Sequence, residues 1–400
     1  MEKKGIADFF EEFLEKEPLF KEKASLQANY TPENIPHRDE QIRHIAKILA
    51  PSLRLEKPSN IFLYGKTGTG KTLSVKHITN KMQQVAAKNN LALKIIYVNC
   101  KLKKIADTEY RLIAQLINEF GREIPATGLP TDEVYKIFYS TIDKEKQLVL
   151  LILDEIDQLV KKTGDEILYN FTRINAEFKN AQISLIGISN DLIFINHVDP
   201  RVKSSLSEEE LVFPPYNAIQ LQDILRNRSK EAFKDGVLET GLIEKCAAYA
   251  AREHGDARRA LELLRVAGEI AEREGETLVK IAHLDIAEDK IEKDRMIDIV
   301  RTQPKQFQAT LYAIMSLDSR KNIFTGDIYE VYQKVCGLIG QRPLTQRRIS
   351  DIIAELDMIG MINAKIISKG RYGRTREITM SLPKNVEISV KTILKKELDL

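Results

Sequence analysis

Near residue 60 an apolar run, Asn60-Ile61-Phe62-Leu63-Tyr64, leads directly into Gly65-Lys66-Thr67-Gly68-Thr69-Gly70-Lys71-Thr72, and a helical pattern follows. Glycines let the backbone curl until successive N–H groups and the start of the helix face one point, a cradle for phosphate. An ammonium at Lys71 then reaches the outer phosphates, and the Thr72 hydroxyl is a ligand for Mg²⁺. Strand, loop and helix in this order imply binding of a nucleoside triphosphate, with hydrolysis as its natural use.

A second apolar run, Leu150-Leu151-Ile152-Leu153, delivers Asp154 and Glu155 at its end. Parallel sheets place ligands at the carboxyl ends of their strands, so Asp154 is the candidate for the Mg²⁺ shell and Glu155 for polarising the attacking water. Ile188-Ser189-Asn190-Asp191 ends a further run. The Asn190 amide either contacts the γ-phosphate and the water or caps the next helix. Gly255-Asp256-Ala257-Arg258-Arg259 opens a later helix. Arg258 there either neutralises charge developing on the phosphates or is a surface arginine.

These residues need a scaffold, and the hydrophobic pattern supplies one. Five short runs, Asn60–Tyr64, Lys94–Asn99, Leu148–Leu153, Ile183–Ile188 and Leu211–Phe213, alternate with helical stretches. Continuous apolar strands separated by helices predict a parallel sheet covered on both faces. Between the second and third runs lie two helical patterns, Thr108–Phe120 and Asp132–Ile142, around the breaker-rich Gly121–Pro130. One crossover helix would suffice, so this segment reads as an insertion. Pro214 and Pro215 close the sheet region, and a helical bundle is predicted from Asn217 to about Val300, with breaks at Asp235–Gly236 and His254–Gly255. After Pro304 come three helical patterns, Gln308–Leu317, Asp327–Ile339 and Thr345–Met358, then β-like runs at Met361–Ser368 and Thr375–Leu382.

Composition narrows the class. The 400 residues are 43% hydrophobic and 30% charged, the balance of a globular chain with substantial cores. No apolar run approaches spanning length. Phe9, Phe10, Phe13 and Leu14 among acidic residues form an amphipathic pattern and not a signal peptide. Cys100, Cys246 and Cys336 lack metal-type spacing and read as buried thiols in a reducing cytoplasm. Net charge is +3, yet residues 301–400 hold 17 Lys and Arg against 10 Asp and Glu. A basic terminal region on a slightly acidic body suggests a polyanion partner or a solvated charged surface.

Taken in order, the phosphate loop, the Asp-Glu strand, the Asn-bearing strand and the Gly-Asp-x-Arg helix resemble the AAA+ ATPases. In that family's terms Asn190 corresponds to sensor 1 and Arg258 to sensor 2. Pro36-His37-Arg38-Asp39-Glu40-Gln41, Phe213-Pro214-Pro215-Tyr216 and Gly255-Asp256-Ala257-Arg258 narrow the resemblance to the archaeal replication initiators related to origin-recognition and cell-division-control subunits. It extends over nearly the whole chain. It implies ATP or ADP held between core and lid, with Tyr216 and Arg228 flanking the nucleotide and Pro36–Arg38 near the adenine. Relatives that hydrolyse ATP across a subunit interface carry an arginine where this chain has Ser205, so a trans-acting finger is in doubt even with Arg201 nearby. Slow turnover, with nucleotide as a switch, is the implied behaviour.

The C-terminal pattern of three helices, two strands and a basic loop resembles a winged helix. Residues opening the third helix would reach base edges: Gln346, Arg347 and Arg348, preceded by Arg342. The loop region offers Lys369, Arg371, Tyr372, Arg374 and Arg376 without an acidic residue, suited to backbone or minor-groove contact. Winged helices also serve as protein modules, and the basic wing favours DNA. The insertion resembles the initiator-specific one, implying DNA contact through Arg111 and the Gly121–Gly128 loop with Arg122; plain packing is the other reading.

The expected architecture is therefore an α/β AAA+ P-loop parallel sheet core at 1–216 with a helical insert near 105–130. A helical lid follows at 217–300 and a winged-helix DNA-binding domain at 301–400. The implied function is an ATP-dependent initiator that binds duplex origin DNA and helps load the replicative helicase beside other initiator subunits. Phosphate-loop residues Gly65, Gly68, Thr69, Gly70, Lys71 and Thr72 hold ATP/ADP with Mg²⁺. The expected location is cytoplasmic, on the nucleoid, away from membranes. Two alternatives are an ATP-switched DNA-binding transcriptional regulator and a clamp-loader-like ATPase acting only on protein.

Overall fold

The structure is a computed structural model. It describes residues 17–27, 30–101, 108–125, 128–196, 198–206, 208–317, 323–368 and 374–400, without the side chains of Ile195, Ser368, Arg374 and Asn385. The Phe9–Leu14 pattern and the wing residues Lys369, Arg371 and Tyr372 lie outside these. The chain divides into two compact units, 1–284 and 285–400.

The first unit is built on five strands: β1 (Ile61–Tyr64), β2 (Leu93–Asn99), β3 (Leu148–Asp154), β4 (Gln182–Ser189) and β5 (Glu209–Val212). Their order is β2-β3-β4-β1-β5, and every pairing is parallel. All seven residues of β3 are buried, because successive side chains point to opposite faces and both faces are covered. Val149, Leu151 and Leu153 join Phe62, Ile183 and Leu185 in one cluster. Leu150 and Ile152 join Ile61, Leu63, Val75 and Ile78 in the other. Each such side chain contributes about 1.5–3 kcal/mol on full burial. That two-sided burial is why the strands read as continuous apolar runs.

At the edge, β5 begins earlier than its apolar residues suggested, at Glu209 and Glu210, charges suited to an exposed margin. Phe213 donates one more backbone bond to the Tyr64 carbonyl at 2.8 Å before Pro214 and Pro215 end the pairing.

The insertion packs firmly into the core. Helix Glu109–Glu119 starts at Thr108, whose side chain accepts from the Arg111 N–H, and buries Leu112, Ile113, Leu116 and Ile117. With Val134, Phe138 and Ile142 of helix Thr131–Ile142 these belong to the same cluster as one face of β3.

Beyond the prolines, helix Ala218–Ala232 opens on a capping box between Asn217 and Gln220. Helices Leu242–Arg252 and Ala257–Glu274 follow, and a further break precedes helix Ile281–Thr302, which runs into the second unit. A segment near the start of the chain lies on this bundle: Phe20 stacks on Phe233 with ring centroids 4.5 Å apart, and the Lys21 N–H donates to the Ala232 carbonyl.

The second unit holds helices Lys305–Ser316, Thr325–Leu338 and Gln346–Met358 and a small antiparallel sheet. Strand β6 (Ile323–Phe324) pairs with β8 (Arg374–Met380), which pairs with β7 (Ile362–Ser368). A final helix, Lys384–Glu397, adds Val390 and Leu394 to the core of Leu311, Ile328, Ile349 and Ile353. Three helices with a two-stranded hairpin form the expected winged helix; β6 and the last helix are additions to that outline. No helix among the described residues is long and apolar enough to cross a membrane, and Cys100, Cys246 and Cys336 are all buried.

Candidate nucleotide site and candidate nucleic-acid interface

The carboxyl ends of β2, β3 and β4 meet the phosphate loop, the start of helix Lys71–Lys88, the bundle helices and the Tyr30–Pro36 segment around a cavity of about 780 Å³. That volume suits a small organic ligand. Gly68, Thr69, Gly70, Lys71, Thr72, Asp154, Glu155, Asn190, Tyr216, Arg228, Arg258 and Pro36 all line it.

Lys71 is buried, and its ammonium donates to the Gly65 carbonyl at 2.7 Å, the Lys66 carbonyl at 2.8 Å and Asn190 Oδ1 at 2.9 Å. Burial pulls its pKa down to about 8; the Asp154 carboxylate opposes that shift and the Arg258 charge adds to it. Asp154 Oδ2 accepts from the Thr72 hydroxyl at 2.9 Å and from the Tyr97 hydroxyl at 2.5 Å, and Oδ1 accepts from the Glu155 N–H at 3.0 Å. A hydroxyl and a carboxylate meeting beside a buried ammonium form a donor set that fits a hard cation carried by phosphates.

Glu155 sits at φ 55°, in the left-handed region that non-glycine residues seldom occupy. It is the residue at which β3 turns into helix Ile156–Thr163. Strain of this kind concentrates at functional positions. Its Oε2 lies 3.7 Å from the exposed Lys101 ammonium. Asn190 is carried by a built turn: the Ser189 hydroxyl donates to buried Asp157 at 3.0 Å and accepts the Asp191 N–H at 3.0 Å. The strand bearing Asn190 is thereby tied to the helix after Glu155.

Two glycines set how closely the bundle approaches the loop. Gly68 has φ 67°, and a Cβ there would come within 1.7 Å of Asp256 Oδ1. Gly255 has φ 69°, and a Cβ there would come within 2.2 Å of the Tyr216 carbonyl. Asp256 caps helix Ala257–Glu274 by accepting the N–H groups of Arg258 and Arg259, which aims Arg258 at the cavity from the first turn.

Arg38 stands apart from the lining. It is buried, donates from Nε to the Thr69 carbonyl at 2.9 Å and from Nη2 to the Pro214 carbonyl at 2.5 Å, and lies 3.9 Å over the Tyr216 ring. Its contacts tie the phosphate loop to the prolines that lead into the bundle, with Tyr216 positioned against it; burial lowers its pKa. Arg228 does line the cavity. Its Nη1 is buried without a hydrogen-bond partner among the described residues, 4.0 Å from Glu231, and its guanidinium lies 4.5 Å over the Tyr30 ring.

Sequence reasoning missed Tyr97 and the Tyr30–Ile35 wall. Tyr97 is the one residue bearing a hydroxyl in Ile95-Ile96-Tyr97-Val98, a break in an aliphatic strand that marks it. Burial, the hydrogen bond to Asp154 and the Asp154 charge push its hydroxyl well above the usual range. The Tyr30–Ile35 segment carries no periodic pattern that would have pointed to it. Ser205 accepts a hydrogen bond at its carbonyl from Asn60 at 2.8 Å, while Arg201 is paired with Asp199 at 3.0 Å and lies over Tyr169.

In the second unit Arg342, Gln346, Arg347 and Arg348 are exposed at and before the start of helix Gln346–Met358, which Thr345 caps. Arg348 lies 3.6 Å from Asp351. Arg376 differs from this group: its Nη1 donates to the Ser350 carbonyl at 2.7 Å, pinning β8 to that helix. Arg374 opens β8. In the insertion Arg111 is half-buried, and exposed Arg122 donates to Thr141 Oγ1 at 3.3 Å.

Residues 54–193 match the AAA domain family, 222–289 the Cdc6 AAA+ ATPase-type lid domain, and 298–388 the CDC6 C-terminal winged helix domain. The chain is 55% identical over 383 residues to the ORC1-type DNA replication protein of Pyrococcus furiosus, covering 94% of this chain and 90% of that one. It is 50% identical to ORC1-type DNA replication protein 1 of Methanosarcina acetivorans, covering 98% and 94%. Among solved structures, that of the Aeropyrum pernix ORC1 protein in complex with DNA superposes with a TM-score of 0.82 at 43% identity, covering 94% of this chain and 97% of that one. With phosphate loop, lid and winged helix in one chain and half or more of its residues shared along almost its full length, this protein belongs to the family of ORC1-type DNA replication proteins, AAA+ ATPases with a Cdc6-type lid and winged helix.

Proposed function

We propose that this chain is a nucleotide-switched replication initiator that binds origin duplex DNA and helps load the replicative helicase together with other initiator subunits. The observation that carries this reading is the convergence of Lys71, Thr72, Asp154, Glu155, Asn190 and Arg258 on one cavity, in a chain that also bears a winged helix with exposed Gln346, Arg347 and Arg348. A 43% identical relative was solved in complex with DNA, which supports the DNA half.

In this reading Gly68–Thr72 cradle the phosphates of ATP or ADP, Tyr216 and Arg228 close the cavity from the lid side, and Pro36 lies by the base. Arg38 acts from behind, holding the loop carbonyl of Thr69. Thr72 and Asp154 would hold Mg²⁺, which would neutralise phosphate charge. Glu155 takes a proton from the attacking water, and Asn190 and Arg258 hold the terminal phosphate. With Ser205 where relatives carry the finger and Arg201 paired with Asp199, this reading includes no trans-acting finger and has nucleotide acting as a switch with slow turnover. The DNA contacts are Arg342, Gln346, Arg347 and Arg348 with the wing residues Lys369, Arg371, Tyr372 and Arg374, while Arg376 holds β8 against helix Gln346–Met358; Arg111 and Arg122 of the insertion are further candidates.

The test is a footprint and titration on duplexes from the chromosome's own replication origin and on random duplex, with ATP and with ADP. The expected result is preference for origin duplex, changed by the nucleotide and falling steeply with salt. Equal affinity for both duplexes sinks the reading, and occupancy clustered at promoters would favour a transcriptional regulator.

The buried Lys71 also sets a pH dependence. Its pKa in the free site is about 8, and phosphates on the ammonium must raise it. The affinity contributed by that charge is therefore complete below pH 8. It declines as pH rises through 8, because binding then requires proton uptake, by up to about tenfold per unit. Nucleotide titrations between pH 7 and 10 check this; a flat profile contradicts it.

A further inference from the structure

The Asp154 carboxylate is held from three directions. Oδ1 accepts the N–H of its own neighbour Glu155, and Oδ2 is shared by two hydroxyls, Thr72 at 2.9 Å and Tyr97 at 2.5 Å. Thr72 and Glu155 belong to the nucleotide-site residues expected from the amino-acid order. Tyr97 does not. It comes from the adjacent strand β2, two residues before Asn99, the residue in register with Asp154. Its ring is fixed separately, with the Lys76 ammonium 4.2 Å from the ring centroid, and Tyr97 lines the same cavity.

We propose that Tyr97 is a positioning residue for the metal-bearing carboxylate, its hydroxyl fixing Asp154 so that Oδ2 faces the cation carried by a nucleoside triphosphate. The direction follows from which oxygen is taken. Oδ2 already bonds the Thr72 hydroxyl, whose oxygen is the protein's own ligand to that cation in the proposed reading. A second donor on that same oxygen restrains the carboxylate where Thr72 meets it. Without it, one hydroxyl and the neighbouring N–H remain, and the carboxylate is freer to rotate about its terminal torsion, which is broad. The inference rests on the nucleotide–Mg²⁺ reading of the cavity.

Tyr97→Phe in the full chain removes the hydroxyl and keeps the ring under Lys76. A fluorescent ATP analogue is titrated in excess EDTA and at a series of Mg²⁺ concentrations, at a temperature well below the melting transition so that only folded protein is read. Affinity in EDTA is expected to match wild type. The Mg²⁺ concentration giving half of the tightening is expected to rise about tenfold, the lower end of what removal of a group orienting a metal ligand costs. Asp154→Asn should shift it further. An unchanged Mg²⁺ midpoint in Tyr97→Phe overturns the proposal, and so does a lowered one, which would make the hydroxyl a competitor for the carboxylate. A wild-type chain whose nucleotide affinity ignores Mg²⁺ would instead sink the reading of the cavity itself, a distinguishable failure.

Discussion

Lys71→Ala is expected to weaken binding of a fluorescent ATP analogue by about thirtyfold to several thousandfold, because truncating one partner of a buried charged contact costs about 2–5 kcal/mol. The geometry makes the loss larger than that of a surface charge. All three N–H groups of Lys71 are directed, two to carbonyls of the phosphate loop and one to Asn190. Alanine removes the charge proposed to meet the phosphates and also leaves those three acceptors without their donor. The loop then loses the cross-tie that keeps Gly65 and Lys66 beside the Asn190 turn. Equilibrium titration measures the effect, and a dissociation constant equal to that of wild type would refute the role.

Glu155→Gln is expected to do the opposite: binding within a few-fold of wild type, with single-turnover hydrolysis slowed by about a hundredfold to a thousandfold, the scale of a lost general base. The substitution keeps the length of the side chain and the backbone at φ 55°, which the turn from β3 into its helix requires. It removes the basic oxygen and the ion pair to Lys101, and that pair, 3.7 Å long with an exposed lysine, contributes little. ATP should therefore accumulate on the protein. Quenched single-turnover measurements with labelled ATP decide the matter: hydrolysis at the wild-type rate would exclude Glu155 as the base.

Both residues are legible in the amino-acid order alone, and so is most of the core that carries them. The apolar runs at residues 148–153 and 183–188 form β3 and β4 within a residue or two at each end. Strands covered on both faces leave no polar side to confuse the pattern. The edge strand is less legible: β5 alternates in exposure and begins on two glutamates, so only its apolar end stands out. In the second unit the two-residue β6 is too short to leave a sequence pattern, whereas helix Lys384–Glu397 carries Val386, Val390 and Leu394 at helical spacing and only the fold shows which core they join. Arg38 shows the same limit within the site. Its surrounding motif places it by the nucleotide, whereas its guanidinium is engaged by the Thr69 and Pro214 carbonyls, 31 and 176 residues away.

By itself, then, the amino-acid order determined the chemistry on offer: a glycine-rich turn ending in Lys71 and Thr72, carboxylates at the end of a buried strand, and a basic winged helix late in the chain. Those are local facts, set by spacing along the backbone and by which side chains a strand or helix can bury. Which of these groups meet was decided only by the tertiary structure. Placing β1 between β4 and β5 brings Asn190 onto Lys71 from 119 residues away. Pairing β2 in register with β3 brings Tyr97 onto Asp154, and the close approach at Gly68 seats Asp256, and with it Arg258, over the loop. Strand order and register depend on contacts summed over the whole core, and no single stretch of sequence contains that sum.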